Sequence, residues 1–487
     1  MSFQIHKVTI EGKEYELSKN SNSGNNLISV ITGKNGAGKS RILEFLASNF
    51  YVSDNFLIEN PNNWNARFNI VTSDYSQNQV QYQIGGLECT MQRISSKIAS
   101  VFKLATHVDD RYRIFPQRMI CLSTSPFDRF PLNVSKSLSN ESIYSYIGMK
   151  NSKRSSSIVS LISNVLDSMF KKPEKIETNF EVMKRTLDYL GYGNRILVSY
   201  RSNIKFDKNS LSRREISKLL TKFENPIFNE HYIDGVEWKN QVDAIYDSVC
   251  ILLDSNRDKW KSTFSIPINL AKANILEDDY VRAIQTLSKS GIFTVKSLKL
   301  SQATDNRKFI DFIDASSGEQ CLAMMLLGIA SQIENNSLIC IDEPEISLHP
   351  EWQEEFIPLI NDLFSLYSGC HFVIATHSPL LVSKLSSDNC FILNLDENRL
   401  IDSSKAVSYS ADYQLATLFK SPGFKNEYLV SECLDILNTL SKLKPIDFDF
   451  TERVKLITSL KSQISLEDPV YSLITTIERV MDTINED

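Results

Sequence analysis

The chain of 487 residues has no long hydrophobic run. Its longest nearly apolar stretch, Cys321 to Ala330, is far shorter than the roughly 20 residues that a membrane-spanning helix needs. The first residues, MSFQIHKVTI, lack the pattern of a secretory signal. These absences predict a soluble, cytoplasmic protein without a membrane partner. Of the eight cysteines, at positions 89, 121, 250, 321, 340, 370, 390 and 433, no two form a C-x-x-C pair and none sits in a Cys/His cluster of zinc spacing. They read as reduced, mostly buried side chains rather than metal ligands. A basic excess is missing too: 53 Lys and Arg stand against 59 Asp and Glu, a net charge of −6. That balance excludes a protein that coats nucleic acid over its whole surface, but not a local basic patch. Internal repeats, low-complexity tracts and heptad runs of coiled-coil length are also absent, so a long coiled-coil arm is excluded. What is there, 42% hydrophobic, 10% aromatic and 23% charged residues, is the composition of a globular protein of two or three structural units.

Five motifs follow one another along this chain: GKNGAGKS at Gly33 to Ser40, SSGEQ at Ser316 to Gln320, LICIDEPE at Leu338 to Glu345, SLHP at Ser347 to Pro350 and ATHSP at Ala375 to Pro379. The first is a P-loop preceded by an apolar strand, Leu27 to Ile31, and followed by a helix from about Lys39. A triphosphate needs backbone N–H groups that approach closely, which Gly33, Gly36 and Gly38 permit, with Lys34, Asn35 and Ala37 completing the loop. Lys39 is expected to reach the β- and γ-phosphates and the Ser40 hydroxyl to ligate Mg2+. LICIDEPE ends a strand in two acids: Asp342 to hold Mg2+, and Glu343 to polarise the attacking water. SSGEQ opens a helix, and is an ordinary capping box as well as an anion site. In an ABC-type dimer Ser317 and Gly318, with Glu319 and Gln320 behind them, would face the nucleotide of the other subunit. SLHP would lie along that seam, and His377 is expected as the γ-phosphate sensor. A glutamine loop is not evident; after the strand Arg118 to Thr124, expected beside the P-loop strand, the chain reads SPFDRF, where the alternatives are Asp128, Ser125 or a glutamine elsewhere in the chain.

The segments divide as 1–149, the first part of an ATPase core; 150–306, a mainly helical insertion broken by Pro173, Pro226 and Pro267; 307–412, the second part of the core; and 413–487, a helical region for partner docking. The helical patterns SSIVSLISNVLDSMF and VDAIYDSVCILLD fall in the insertion. Its stretch Lys150 to Lys222 carries 16 Lys and Arg against 7 Asp and Glu, whereas Gly423 to Asp487 carries 7 against 12. These read either as solvated helical surfaces or as a basic surface for nucleic acid and an acidic docking element. The expected fold is α/β: an ABC/SMC-type P-loop ATPase head with a helical insertion and a helical C-terminal extension.

The spacing of GKNGAGKS, SSGEQ and IDEPEISLHPEWQ, the strand exit LSTSPFDRFP and the helical tail after ATHSP resemble the PtuA family, the ABC-type ATPase subunits of Septu and retron-associated antiphage defence systems. The resemblance implies an ATP- and Mg2+-dependent homodimer or higher oligomer that controls a separate HNH nuclease subunit of PtuB type. In retron versions a reverse transcriptase and a noncoding RNA/DNA hybrid join the assembly. Two other readings start from the same motifs. One is a DNA-binding ATPase of the SMC and RecF kind, acting in repair or maintenance. The other is an OLD-like ATPase with its own TOPRIM nuclease, for which Glu432, Asp447 and Asp449 superficially qualify.

Overall fold

A computed structural model of the chain describes residues 2–19, 24–59, 77–93, 100–104, 114–132, 142–150, 165–166, 176–221, 235–256, 259–271, 278–385, 389–403, 410–441 and 448–486. Residues 151–164 and 167–175 of the basic stretch, with them most of the pattern SSIVSLISNVLDSMF and Pro173, lie outside these residues, as do Pro226 and Asp447.

The centre is a seven-stranded sheet in the order Arg399–Asp402, Cys390–Asn394, Leu27–Thr32, His371–Ala375, Leu338–Asp342, Met119–Ser123, Tyr144–Gly148. All neighbours are parallel except Arg399–Asp402, which closes one edge as a hairpin. The parallel strands are buried at every residue, which is why they read as unbroken runs such as LISVI and LICI rather than as alternating patterns. Their register aligns Asp342 with both Ala375 and Ser123, and Ala375 with Ile31. The loops that follow these strands therefore leave the sheet along one edge, where ligands of open α/β sheets bind.

The strand Met119–Ser123 does not lie beside the P-loop strand, as expected, but two strands away, beyond His371–Ala375 and Leu338–Asp342. Strand order is a tertiary property, and no local residue pattern encodes it.

On one face, the helix Lys39–Glu59 packs with an antiparallel five-stranded sheet in which Phe3–Ile10 pairs with Lys13–Glu16 and Gln79–Ile84. Phe3, Phe50 and Tyr82 form the aromatic centre of this layer, with ring centroids 5.5–5.9 Å apart. His371 ties it to the main sheet. Its Nδ1 accepts from Ile5 N–H at 2.9 Å, so its Nε2–H faces Ser29 Oγ at 2.8 Å. Burial pushes this imidazole down to about 3, so it is a neutral structural group.

The other face carries the helices Ser317–Ala330 and Pro350–Leu363 and the residues inserted before them. Besides the helices Ile176–Tyr189, Arg213–Leu220, Gly235–Ser255 and Asp279–Lys289, the described part of 150–306 supplies three strands of an antiparallel sheet in the order Thr263–Asn269, Tyr192–Ser202, Phe293–Gln302, Phe309–Asp311, the last lying just beyond the insertion. Pro267, expected to break a helix, falls in one of these strands. It is an exposed residue of the edge strand Thr263–Asn269, where a missing N–H is tolerated.

The C-terminal region is helical: Ala411–Thr417, Glu427–Ser441, Phe448–Leu460 and Pro469–Glu486. The last three enclose their own core around Leu429, Ile436, Ile457, Ile474 and Ile477, whereas Leu418 belongs to the main core.

Candidate functional site

The loops that follow the parallel strands open at the carboxyl edge of the sheet. The first is the P-loop, whose Gly33, Gly36 and Gly38 have φ of 151°, 81° and 103°, beyond ordinary reach of a residue with a Cβ. Gly33 has a second constraint: a Cβ there would lie 3.1 Å from Leu395 Cβ and 3.2 Å from Ala37 Cβ. The loop is braced from behind, because Lys34 N–H faces the Asp396 carboxylate at 3.2–3.3 Å and Lys34 O accepts from Ala37 N–H. Asn35 is exposed on the loop's crest. The helix Lys39–Glu59 starts where the loop ends, so its unsatisfied N–H groups and positive end face the same space.

Lys39 is only 4% exposed, yet its ammonium reaches across this space. It donates to Gly33 O at 2.8 Å and Lys34 O at 3.2 Å, and lies 3.1 Å from His377 Nδ1. An ammonium can only donate, so Nδ1 must accept and the imidazole proton sits on Nε2, which lies 3.7 Å from Glu343 Oε1. Burial and the Lys39 charge both lower the His377 pKa, which keeps the ring neutral at pH 7. Burial also lowers the Lys39 pKa, opposed by Glu343, Glu345, Asp342 and Asp396.

Asp342 and Ser40 meet directly, the Ser40 hydroxyl donating to Oδ1 at 3.0 Å. Burial raises the Asp342 carboxyl to about 7, with Glu343, Asp128 and Glu345 adding to the rise and Ser40 opposing it. A buried hard-oxygen pair of this kind is suited to a small divalent cation, which would return the carboxyl to its charged form. Glu343 leaves the strand with φ of 51° while its N–H stays bonded to Ala375 O at 2.9 Å. That left-handed conformation costs a non-glycine residue roughly 1–3 kcal/mol and turns the side chain off the strand's line.

The signature residues sit elsewhere. Ser316 caps the helix Ser317–Ala330 in a reciprocal capping box with Glu319. Gln320 donates to the carbonyls of Phe312, Ile313 and Ala315. Gly318 packs against the SLHP turn so closely that a Cβ would fall 2.7 Å from Ser347 O and 3.0 Å from the Trp352 ring. Thus Lys39, Ser40, Asp342, Glu343 and His377 converge, while Glu319 and Gln320 bond to the preceding turn, Gly318 packs on the SLHP segment and Ser317 is exposed.

Two of the alternatives for a glutamine loop are otherwise engaged. Asp128 accepts from Tyr146 O–H at 2.7 Å, Phe130 N–H at 3.0 Å and Lys150 Nζ at 3.1 Å, and Ser125 Oγ accepts from Phe127 N–H at 3.3 Å. Nearer the catalytic edge, Thr124 follows the residue in register with Asp342 and keeps a buried hydroxyl with no partner among the described residues. Sequence reasoning also passed over Asp396, Glu345 and Gln353. Glu345, visible as the third acid of DEPE, accepts His377 N–H at 2.6 Å through Oε1. No local signal marked Asp396, whose partner Lys34 is 362 residues away. The TOPRIM alternative finds no support in the described tail. Glu432 lies on the helix Glu427–Ser441 and pairs with Arg453 at 2.5 Å, Asp449 falls within the helix Phe448–Leu460, and no strand occurs among those residues.

All eight cysteines are free thiols, and seven are buried. Among the described residues no helix is long and apolar enough to cross a membrane.

"Retron Vc95 probable ATPase" of Vibrio cholerae serotype O1 biovar El Tor is 21% identical over 391 residues, covering 75% of this chain and 68% of that protein. "Retron Ec83 probable ATPase" of Escherichia coli is 25% identical over 99 residues, 18% of each chain. The solved Smc head domain of Pyrococcus furiosus bound to the C-terminal domain of ScpA aligns with 83% of this chain and 98% of its own at 13% identity. Its TM-score of 0.30 is too low to compare overall shapes. Residues 124–383, more than half of the chain, match the family described as "AAA domain, putative AbiEii toxin, Type IV TA system". With its P-loop, acidic strand end and histidine gathered at one sheet edge, the chain belongs to that family of AAA domains and is an ATPase with an α/β head.

Proposed function

We propose that two copies of this chain close on two ATP–Mg2+ complexes, and that this cycle controls a separate HNH nuclease in an antiphage defence assembly. The observation that carries the dimer is the division of the site. One chain gathers Lys39, Ser40, Asp342, Glu343 and His377, but its Gly318 packs on its own SLHP turn and its Ser317 is exposed. A second copy would bring its signature helix to the triphosphate, with the N-terminus of Ser317–Ala330 adding anion-binding N–H groups. Ser40 and Asp342 would hold Mg2+, the remaining oxygens coming from phosphates and water, as is usual for this ion. Glu343 would act as general base, with His377 Nε2–H turned toward it and the γ-phosphate. The defence setting is supported by the two relatives named as retron ATPases, and the HNH partner by the resemblance carried by the motif spacing.

The test is turnover as a function of protein concentration at saturating ATP and Mg2+. Hydrolysis per chain is expected to rise with concentration and then level off, because each site is completed by another copy. A specific rate that stays flat across the range where the protein passes from monomer to dimer would sink the composite site.

The tail is the proposed contact for the nuclease, since its three helices form a separate core. A chain ending at Ser421 keeps Leu418 in the main core, together with the Leu418 O···Asn394 Nδ2 bond of 3.0 Å. It is expected to bind ATP like the full chain and to lose co-purification with a co-expressed HNH subunit. Recovery of that subunit at full-length stoichiometry would move the contact to the insertion, where it should weaken with salt.

A further inference from the structure

The side chain of Gln353 joins two loops that flank the γ-phosphate space. It stands one turn into the helix Pro350–Leu363. Its Nε2 donates to Leu348 O at 3.0 Å and lies 3.5 Å from Glu345 O, so it holds the turn that runs from the acidic strand end through SLHP. Its Oε1 accepts from the Ser378 hydroxyl at 2.7 Å, the residue directly after His377. Ser378 is 6% exposed and is itself fixed, its N–H on Thr376 Oγ1 at 2.9 Å and its Oγ accepting from Leu380 N–H at 3.2 Å. A second tie runs parallel to the first, because the same turn's Glu345 carboxylate accepts His377 N–H at 2.6 Å. His377 is thus held from both sides by the turn on which Gly318 of the signature helix rests.

We propose that Gln353 is a positioning residue for ATP hydrolysis, acting through Ser378 to fix His377 relative to the SLHP turn. The amide is well suited to this task. It needs a donor toward carbonyls at one end and an acceptor toward a hydroxyl at the other, which a carboxylate or an ammonium of similar reach cannot supply together. None of its hydrogen bonds engages the P-loop, so it can shift His377 without weakening the nucleotide's main anchors. Its carbonyl partners lie on the turn expected at the dimer seam, so the same amide ties the sensor histidine to the surface that a second copy would press. The inference rests on the ATPase reading above and adds a residue to it.

The experiment compares Gln353→Ala, Ser378→Ala and the double variant in the full-length protein. Steady-state hydrolysis is measured together with equilibrium binding of a fluorescent, non-hydrolysable ATP analogue. Gln353→Ala is expected to lower kcat about 10- to 100-fold, the scale of an ångström-sized misplacement of a catalytic group, and to leave analogue affinity within about twofold. Ser378→Ala should give a similar loss, and the double variant no more than the larger single loss, because both remove one connection. Ser378→Thr, which keeps the hydroxyl, should restore most of the rate. Multiplying losses, an unchanged kcat, or weakened analogue binding in step with kcat would each overturn the proposal. If truncation at Gln353 lowers the melting temperature, Gln353→Met keeps the volume and decides the matter by the same kcat and binding criteria. Glu343→Gln assayed in parallel separates the two readings: lost turnover there beside normal turnover in Gln353→Ala refutes the positioning role alone, whereas normal turnover in Glu343→Gln refutes the catalytic assignment beneath it.

Discussion

Glu343→Gln is expected to bind ATP as tightly as the unmodified chain and to lose at least about 100-fold in turnover, the lower range of what a positioned general base contributes. The substitution keeps the length and shape of the side chain, so the backbone at φ 51° and the Glu343 N–H bond to Ala375 O should persist. What disappears is the carboxylate facing His377 Nε2 at 3.7 Å, and with it the group able to take a proton from the attacking water. An amide is a poor base at any working pH. Glu343 also raises the carboxyl pKa values of Asp342 and Glu345, so removing its charge relieves repulsion and the melting temperature should not fall. With hydrolysis blocked and binding intact, ATP should accumulate in a closed dimer, seen as a nucleotide-dependent shift in sedimentation or light scattering. Turnover equal to that of the unmodified protein would remove Glu343 from its assigned role.

How much of this could be read from residue order depended on the range over which each feature is encoded. The P-loop, LICIDEPE and ATHSP were legible because each is a buried strand and the loop that directly follows it, and the parallel register then brings the three loops to one edge. Ser40 meeting Asp342 across 302 residues follows from that arrangement alone. The sheet order was not legible, since no residue in RMICLST states that its neighbour is Leu338–Asp342 rather than Leu27–Thr32. In the insertion, Tyr192–Ser202 includes Arg195, Ser199 and Arg201 among its buried apolar residues. A half-exposed antiparallel strand carries such a face, and that alternation was overlooked beside the longer helical patterns. Asp396 and Gln353 escaped because their roles are defined by partners that are near only after folding: Lys34 for the first, Ser378 for the second.

Lys39→Ala should have the complementary effect, strongly weakening nucleotide binding rather than turnover of bound nucleotide. The Lys39 ammonium sits in a loop of carbonyl oxygens with Glu343, Glu345, Asp342 and Asp396 acting on it through space. Four acids around a site for a triphosphate oppose its binding, and the buried cation offsets them. Its removal takes away a charge-assisted donor to the phosphates and leaves those acids facing the anion. Loss of one partner from a buried, hydrogen-bonded charge pair costs about 2–5 kcal/mol, roughly 30- to 5000-fold in affinity. Lysine is also suited to the site by shape. Its compact head fits between Gly33 O and His377 Nδ1, where the wider guanidinium of Lys39→Arg should fit poorly and bind ATP little better than alanine. The check is direct titration with ATP–Mg2+, alongside a melting curve without nucleotide to show that the apo fold survives. Equal affinity in Lys39→Ala and the unmodified chain would refute the anchor. The contrast with Glu343→Gln carries the wider argument. One variant should hold the closed dimer and the other should never form it, so a co-expressed nuclease governed by nucleotide state must respond oppositely to the two.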